Sequence, residues 1–435
     1  MIKTAILATI GIFMSSNLIA AENRIDGQRP DAPELAAPGQ SHIGVRTVKL
    51  TNKQQIDILK VKAGNDHPLY DRPLTVEIWY PSSSEKSGGT YEGVYLRDGQ
   101  TQVNLHGQAV RDAPPAKSDT PNPLIIVSHG YPGNRFLLSH LGENLASKGY
   151  VVVAIDHTDS IYQDKAAFGS TLVNRALDQN FVLNEIDRLG KSSDSFLAGI
   201  VDTSKTGLIG YSMGAYGSVI TAGGGVTKAS TEYKWGSPDG TLKRMMAGTK
   251  EHEALMDDRF KAIVSIAPWG MNAGFWDAKG LAGIRVPMFF IAGSVDDVSG
   301  YEKGTRAIFE NAVNTDRYLL TFENANHNAA APIPAPIESW KVSEVLKYAP
   351  FDHYSDAVWD TLRMNNITQH FTTAYFGNHL KSNASLQEYL DLVPNASDGV
   401  YAKEKDGSLK AEHTYWKGFQ KRTAKGLKLE FLKTK

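Results

Sequence analysis

Along the first hundred residues, apolar and polar positions alternate in short runs. "VRTVKL" (45–50) and "LTVEIWYP" (74–81), with turn residues between them, predict antiparallel strands opening a sheet. They follow a lead-in at 22–41 rich in Pro, Ala, Asp and Gly, which reads as extended. A second Pro- and Asp-rich loop, 111–123, ends this section. Beyond it the alternation stops. "PLIIVSHG" (123–130), "YVVVAID" (150–156), "TGLIGYS" (206–212), "FKAIVSIAP" (260–268), "VPMFFIAG" (286–293) and "RYLLTFE" (317–323) are continuous apolar runs. Runs of this length suit strands buried on both faces, and "RYLLTFE" reads as the last strand.

Between the runs the spacing changes to that of helices. Leu137, Leu141 and Leu145 recur every four residues before Gly149. Val182, Ile186 and Leu189 mark a longer helix over 171–190, "MGAYGSVITA" begins another after Tyr211-Ser212, and Val358, Leu362, Ile367, Phe371 and Tyr375 mark a C-terminal helix near 355–380. Strand–helix alternation predicts an α/β fold with a mostly parallel central sheet and helices on both faces. Two segments break the rhythm, a Gly-rich, charged one at 223–258 and a Pro-rich one at 328–352. Both are expected as insertions on the side where loops build a site.

The N-terminus has another pattern: Lys3, an apolar run from Thr4 to Met14, then Ala20-Ala21 and polar Glu22-Asn23-Arg24. That order predicts a signal peptide over 1–21, cleaved on export to the periplasm or medium. No later stretch is apolar enough to suggest a membrane span. The chain of 435 residues carries a formal net charge of −1, so no nucleic-acid partner is expected. With no cysteine, thiol catalysis, a lipobox and thiolate metal sites are excluded.

The candidate chemistry centres on Gly210-Tyr211-Ser212-Met213-Gly214. A serine between a buried strand and a helix, with glycines two positions to each side, fits a sharp turn that lifts its hydroxyl above a sheet. Ser212 is therefore the expected nucleophile, and it needs a base. Five of the twelve histidines follow the last predicted strand, and four of them are candidates by position: His327, His353, His370 and His379. His327, in the loop directly after it, is the expected base; His353 is a weaker candidate, and the other two fall on the C-terminal helix. "IAGSVDDVS" (291–299) offers Asp296 or Asp297 as the acid that orients the imidazole. The backbone N–H groups of Met213 and Tyr131 are the expected oxyanion donors, with His129 propping the loop that carries Tyr131. No HExxH pattern or clustered His/Asp spacing appears, so no metal or cofactor is expected.

With these residues placed, the chain resembles the α/β-hydrolase superfamily. The likeness runs over about 120–330, through "LIIVSHGYPGNRFLLSHLGENLASKGYVVVAIDHTDS", the elbow, "DDRFKAIVSIAPW", "VPMFFIAG" and the late histidine. It is similar to bacterial platelet-activating-factor acetylhydrolases and dienelactone hydrolase-like esterases, with features of cutinase-like polyester hydrolases. Where the acetylhydrolases place their acid, this chain has Ala267; where dienelactone hydrolases have a nucleophilic cysteine, it has Ser212. The Gly-x-x-Asp pattern of the polyester hydrolases then points to Asp296. The same likeness implies that Tyr131 and Trp269 clamp the substrate.

The resemblance implies one α/β-hydrolase domain over 22–435 and an exported, cofactor-free serine esterase acting on small or medium acyl esters. The insertions would narrow the cleft. Its partner would be a small-molecule or lipid-like ester; the alternatives are a phospholipid-acyl or polyester hydrolase, or an inactive binding protein of the same fold.

Overall fold

The computed structural model describes residues 22–64, 67–166, 168–233 and 236–435; the expected signal peptide, 1–21, lies outside these residues. Two long strands, β1 (His42–Ile56) and β2 (Leu69–Ser82), pair antiparallel, and β3 (Gly89–Tyr95) with β4 (Gln102–Gly107) forms a separate hairpin. After β5 (Val110–Arg111) the chain alternates. It runs β6 (Asn122–Ser128), α1 (Ser139–Ser147), β7 (Val151–Asp156), α2 (Phe168–Lys191), β8 (Val201–Tyr211), α3 (Met213–Thr221), α4 (Lys250–Glu253) and β9 (Phe260–Ile266). It continues α5 (Ala278–Leu281), β10 (Met288–Gly293), α6 (Arg306–Asn311), β11 (Arg317–Phe322), α7 (Thr361–Lys381) and β12 (Leu427–Leu432).

Ten of these strands form one sheet in the order β12-β11-β10-β9-β8-β6-β7-β2-β1-β5. Its centre, from β7 through β6, β8, β9 and β10 to β11, is parallel. Every residue of β7, β10 and β11 is buried, as their unbroken apolar runs require. Alternate residues feed opposite layers. Ile125, Val127, Val152 and Phe289 pack with Leu141 and Leu145 of α1 and with Phe371 and Tyr375 of α7. Leu124, Ile126, Val153 and Phe290 pack with Leu172, Val182 and Ile186 of α2 and with Val219 and Ile220 of α3.

Two sequence expectations change. The last strand is β12, not the run at 317–323. β12 pairs antiparallel with β11 and buries Leu427 and Leu429, closing an edge that would otherwise expose unpaired backbone. The C-terminal helix begins at Thr361, capped by Asp360 accepting the Arg363 N–H, and Val358 stays exposed ahead of it.

The two layers also bury histidines. His140 of α1 and His370 of α7 sit within the first layer, and burial pushes each down to about 3.

Candidate active site

The serine stands at a forced turn. Ser212 has φ 52° and ψ −111°, directly after β8 and before α3, a region that side-chain-bearing residues rarely occupy. Its N–H donates to Ile266 O at 2.9 Å, and its carbonyl accepts the N–H of Tyr216 at 2.9 Å, which locks the turn between β9 and the helix. The flanking glycines are required by contact. A Cβ on Gly210 would lie 2.5 Å from Gly214 O, and one on Gly214 would lie 2.0 Å from Ser128 O.

Two further loops converge on this turn. The loop after β10 carries Asp296, and the loop after β11 carries His327. They are tied together: Val295 N–H donates to Ala325 O at 3.0 Å and Asn324 N–H to Ser294 Oγ at 2.8 Å. Gly293 permits the approach, since a Cβ there would meet Ala325 O at 2.3 Å. The asparagines of "NANHN" fold their own loop. Asn324 takes a positive φ, Asn328 N–H donates to Asn326 Oδ1, and Asn328 Nδ2 donates to Asp352 O and Ser355 O.

A continuous line of hydrogen bonds results. His327 Nε2 lies 3.0 Å from Ser212 Oγ, and Nδ1 lies 3.0 Å from each carboxylate oxygen of Asp296. An acceptor-only carboxylate fixes the proton on Nδ1 and leaves Nε2 free to accept from the serine hydroxyl. The Asp296 side chain is fully buried, which works to raise its pKa. The bond from His327, its charge, and the N–H groups of Val298 and Ser299 outweigh burial and hold it below the ordinary carboxylate range. Asp297 is exposed and makes no hydrogen bond to His327. The Tyr211 ring lies 5.4 Å from the imidazole, and its hydroxyl donates to Asn328 Oδ1 at 3.0 Å.

Ser212 and His327 open into a cavity of about 430 Å³ also lined by Arg97, Gly130, Tyr131, Tyr348 and His353. Ser212, at 8 % exposure, is reachable from it. The Tyr131 hydroxyl donates to Ala166 O at 2.6 Å, and its ring stands edge-on to Phe168. Trp269 does not line this cavity: its ring packs among Phe168, Tyr216 and Phe275, while its backbone N–H donates to Ser212 O at 3.3 Å. Met213, at the start of α3, presents its N–H at a helix N-terminus next to Ser212. The segment 328–352 contributes Asn328, Tyr348 and Asp352 to the cavity, whereas the described residues of 223–258 contribute none. Instead, 223–258 buries Val226, Leu242 and Met245 in the α2–α3 layer.

A family model described as "PETase: PET hydrolase-like" matches residues 100–235, a stretch that holds Tyr131 and Ser212 but ends before Asp296 and His327. Cutinase est1 of Thermobifida alba is 25% identical over 229 residues, 52% of this chain and 61% of that protein. Cutinase 2 of Thermobifida cellulosilytica is 23% identical over 206 residues, 47% of this chain and 60% of that one. Lipase 1 of Moraxella sp. (strain TA144) is 26% identical over 245 residues, 56% of each. The chain thus spans between about half and 61% of the length of the cutinases it matches. A structure of ferulic acid esterase from Streptomyces cinnamoneus superposes with a TM-score of 0.54 at 22% identity, covering 81% of this chain and 94% of that one. The chain is an α/β-hydrolase by fold. These relatives match the cutinase side of the expected likeness.

The same fold holds a second serine–histidine–aspartate line, one with no motif in the sequence to mark it. His157 Nε2 lies 2.8 Å from Ser128 Oγ, and Nδ1 lies 2.9 Å from Asp178 Oδ2. It cannot meet a substrate: Ser128 is 0 % exposed, and Arg72 grips Asp178 with two bonds of 2.9 Å. Burial pushes His157 down to about 3, so it stays neutral. His353, the weaker candidate base, accepts from Arg97 at 3.1 Å through Nδ1 and bonds the Tyr162 hydroxyl at 2.8 Å through Nε2. Burial holds it neutral as well. No helix among the described residues is long and apolar enough to cross a membrane, and none of their acidic and histidine side chains cluster in threes as a metal site would need.

Proposed function

We propose that this protein is an exported hydrolase that cleaves carboxylic esters of small or medium size through an acyl-enzyme on Ser212. His327 Nε2 takes the hydroxyl proton as Oγ bonds to the ester carbonyl carbon, and Asp296 holds the imidazole and stabilises the imidazolium. The N–H groups of Tyr131 and Met213 donate to the oxyanion. The imidazolium then protonates the departing alcohol. Water, deprotonated by the same imidazole, releases the acid and restores Ser212. Every proton is exchanged among this chain, substrate and water.

One observation carries the reading: the relay of 3.0 Å contacts from Asp296 through His327 to a serine that opens into a cavity. A fluorophosphonate probe should label the wild-type protein and not Ser212→Ala. The variant should lose hydrolysis of p-nitrophenyl butyrate by about 10⁴-fold or more. Unchanged turnover in the folded variant would defeat the proposal. A wild-type protein that ignores the probe would instead favour an inactive binding protein of this fold.

A second reading is polyester hydrolysis, favoured by the family match over 100–235 and by the cutinase relatives. The wall contributed by 328–352 supports the smaller substrate. An acyl-chain series assayed beside a polyester film and a phospholipid separates the two, and places the lipid alternative with them.

A further inference from the structure

Helix α2 buries a cation that forms no ion pair among the described residues. Arg175 is 1 % exposed, and the nearest carboxylate on its helix, Asp178, is held by Arg72 and His157. Two of its nitrogens, Nε and Nη1, have no hydrogen-bond partner among the described residues. Burying an unpaired charge is costly, so its one well-formed group of contacts calls for an explanation. Nη2 donates to Gly130 O at 2.9 Å and also to Ser160 Oγ. Gly130 O receives a second donor, His129 Nδ1–H, at 2.7 Å. The His157 N–H donates to His129 Nε2 at 3.3 Å, which leaves the ring proton on Nδ1.

The carbonyl so gripped belongs to the same peptide unit as the Tyr131 N–H. That unit is trans and planar, so its C=O and N–H point in opposite directions. Fixing the oxygen from behind therefore fixes the N–H in front. The front is the site: a Cβ on Gly130 would lie 3.2 Å from Ser212 Cβ, and both Gly130 and Tyr131 line the cavity. A cationic donor on the carbonyl also polarises the peptide, strengthening the N–H as a donor.

We propose that Arg175 is a positioning residue for the oxyanion. With His129 it holds and polarises the Gly130–Tyr131 peptide so that the Tyr131 N–H faces the charge that forms above Ser212. This rests on the ester-hydrolase reading above. It also accounts for a buried guanidinium that makes no direct ion pair among the described residues, Asp178 acting on it only at a distance, since the charge acts when the oxyanion forms.

The test compares Arg175→Met and Arg175→Lys with wild type. For p-nitrophenyl butyrate, Arg175→Met should lower kcat by about 10- to 100-fold, less than the ~10²- to 10³-fold cost of deleting a donor outright. KM should stay within about twofold. Affinity for a trifluoromethyl ketone, whose adduct with Ser212 carries an oxyanion, should fall with kcat/KM. Affinity for a non-covalent competitor of similar shape should not. Arg175→Lys should recover part of both losses.

Unchanged kcat and ketone affinity in Arg175→Met would overturn the proposal, as would equal losses for both inhibitors. If neither variant folds, the wild-type protein still decides. Its ¹³C-labelled Gly130 carbonyl should resonate downfield of loop glycines with a single donor, and an ordinary shift would overturn the assignment. Failure of the fluorophosphonate to label wild-type Ser212 defeats the ester-hydrolase reading. Labelled wild type with unaffected Arg175 variants defeats this proposal alone.

Discussion

Two serines in this molecule have a histidine and an aspartate in line behind them, and accessibility separates them. Ser128 Oγ and Ser212 Oγ both sit within 3.0 Å of an imidazole nitrogen. Only Ser212 has a cavity in front of it and a strained backbone beneath it. Ser128→Ala is expected to leave fluorophosphonate labelling unchanged and to lower stability, because His157 loses a buried partner. Chemical denaturation beside labelling checks both parts. The paired aspartates differ in the same manner. Asp296→Asn should cut kcat by about 10⁴-fold, since an amide stabilises the wrong imidazole tautomer. Asp297→Asn should leave kcat within a few-fold, as its carboxylate does not touch His327. Ser212→Gly should melt above wild type although inactive, because glycine relieves the φ of 52°; an equal or lower melting temperature would argue against strain at the elbow.

The elements were read with uneven success, and the reasons are physical. Parallel strands declare themselves because burial on both faces leaves an unbroken apolar run, as in β6, β7 and β10. The elbow was legible for a similar reason: backbone contacts admit only glycine at 210 and 214. β12 was not read, although Leu427, Leu429 and Phe431 alternate with polar residues, because an isolated edge strand far from its partner has only a weak period-two signal. Leu429→Ala should cost about 2–5 kcal/mol in urea unfolding if the strand completes the core. Nothing in the sequence singles out Arg175 and Asp178. Their burial depends on α2 crossing behind the loop after β6, a tertiary fact with no local pattern. The segment 223–258 was expected above the site for its composition alone, yet Val226, Leu242 and Met245 went to the layer beneath.

At the scale of the whole molecule, the two layers enclose imidazoles that stay neutral. His140, His157 and His370 are each pushed to about 3 by burial, whereas their unfolded values lie near 6.5. A folded value below the unfolded one means the stabilisation is complete above 6.5 and is lost as pH falls toward 3, because the unfolded chain binds protons that the folded chain refuses. These three groups alone contribute a slope of roughly 4 kcal/mol per pH unit within that window, and His129 and His353, lowered by burial too, act in the same direction. The denaturation midpoint should therefore fall steeply between pH 6.5 and 4, with proton uptake on unfolding visible by calorimetry in buffers of different ionisation enthalpy. A flat midpoint over that range would show that the histidines titrate freely.

That dependence bears on the reaction proposed here. Each ester hydrolysed near neutrality liberates an acid, so turnover in a weakly buffered medium drifts the surroundings toward the range in which stability is expected to fall. Reaction progress should stall early without buffer and run on in a pH-stat, with product acidity serving as a brake set by side chains that never touch the ester.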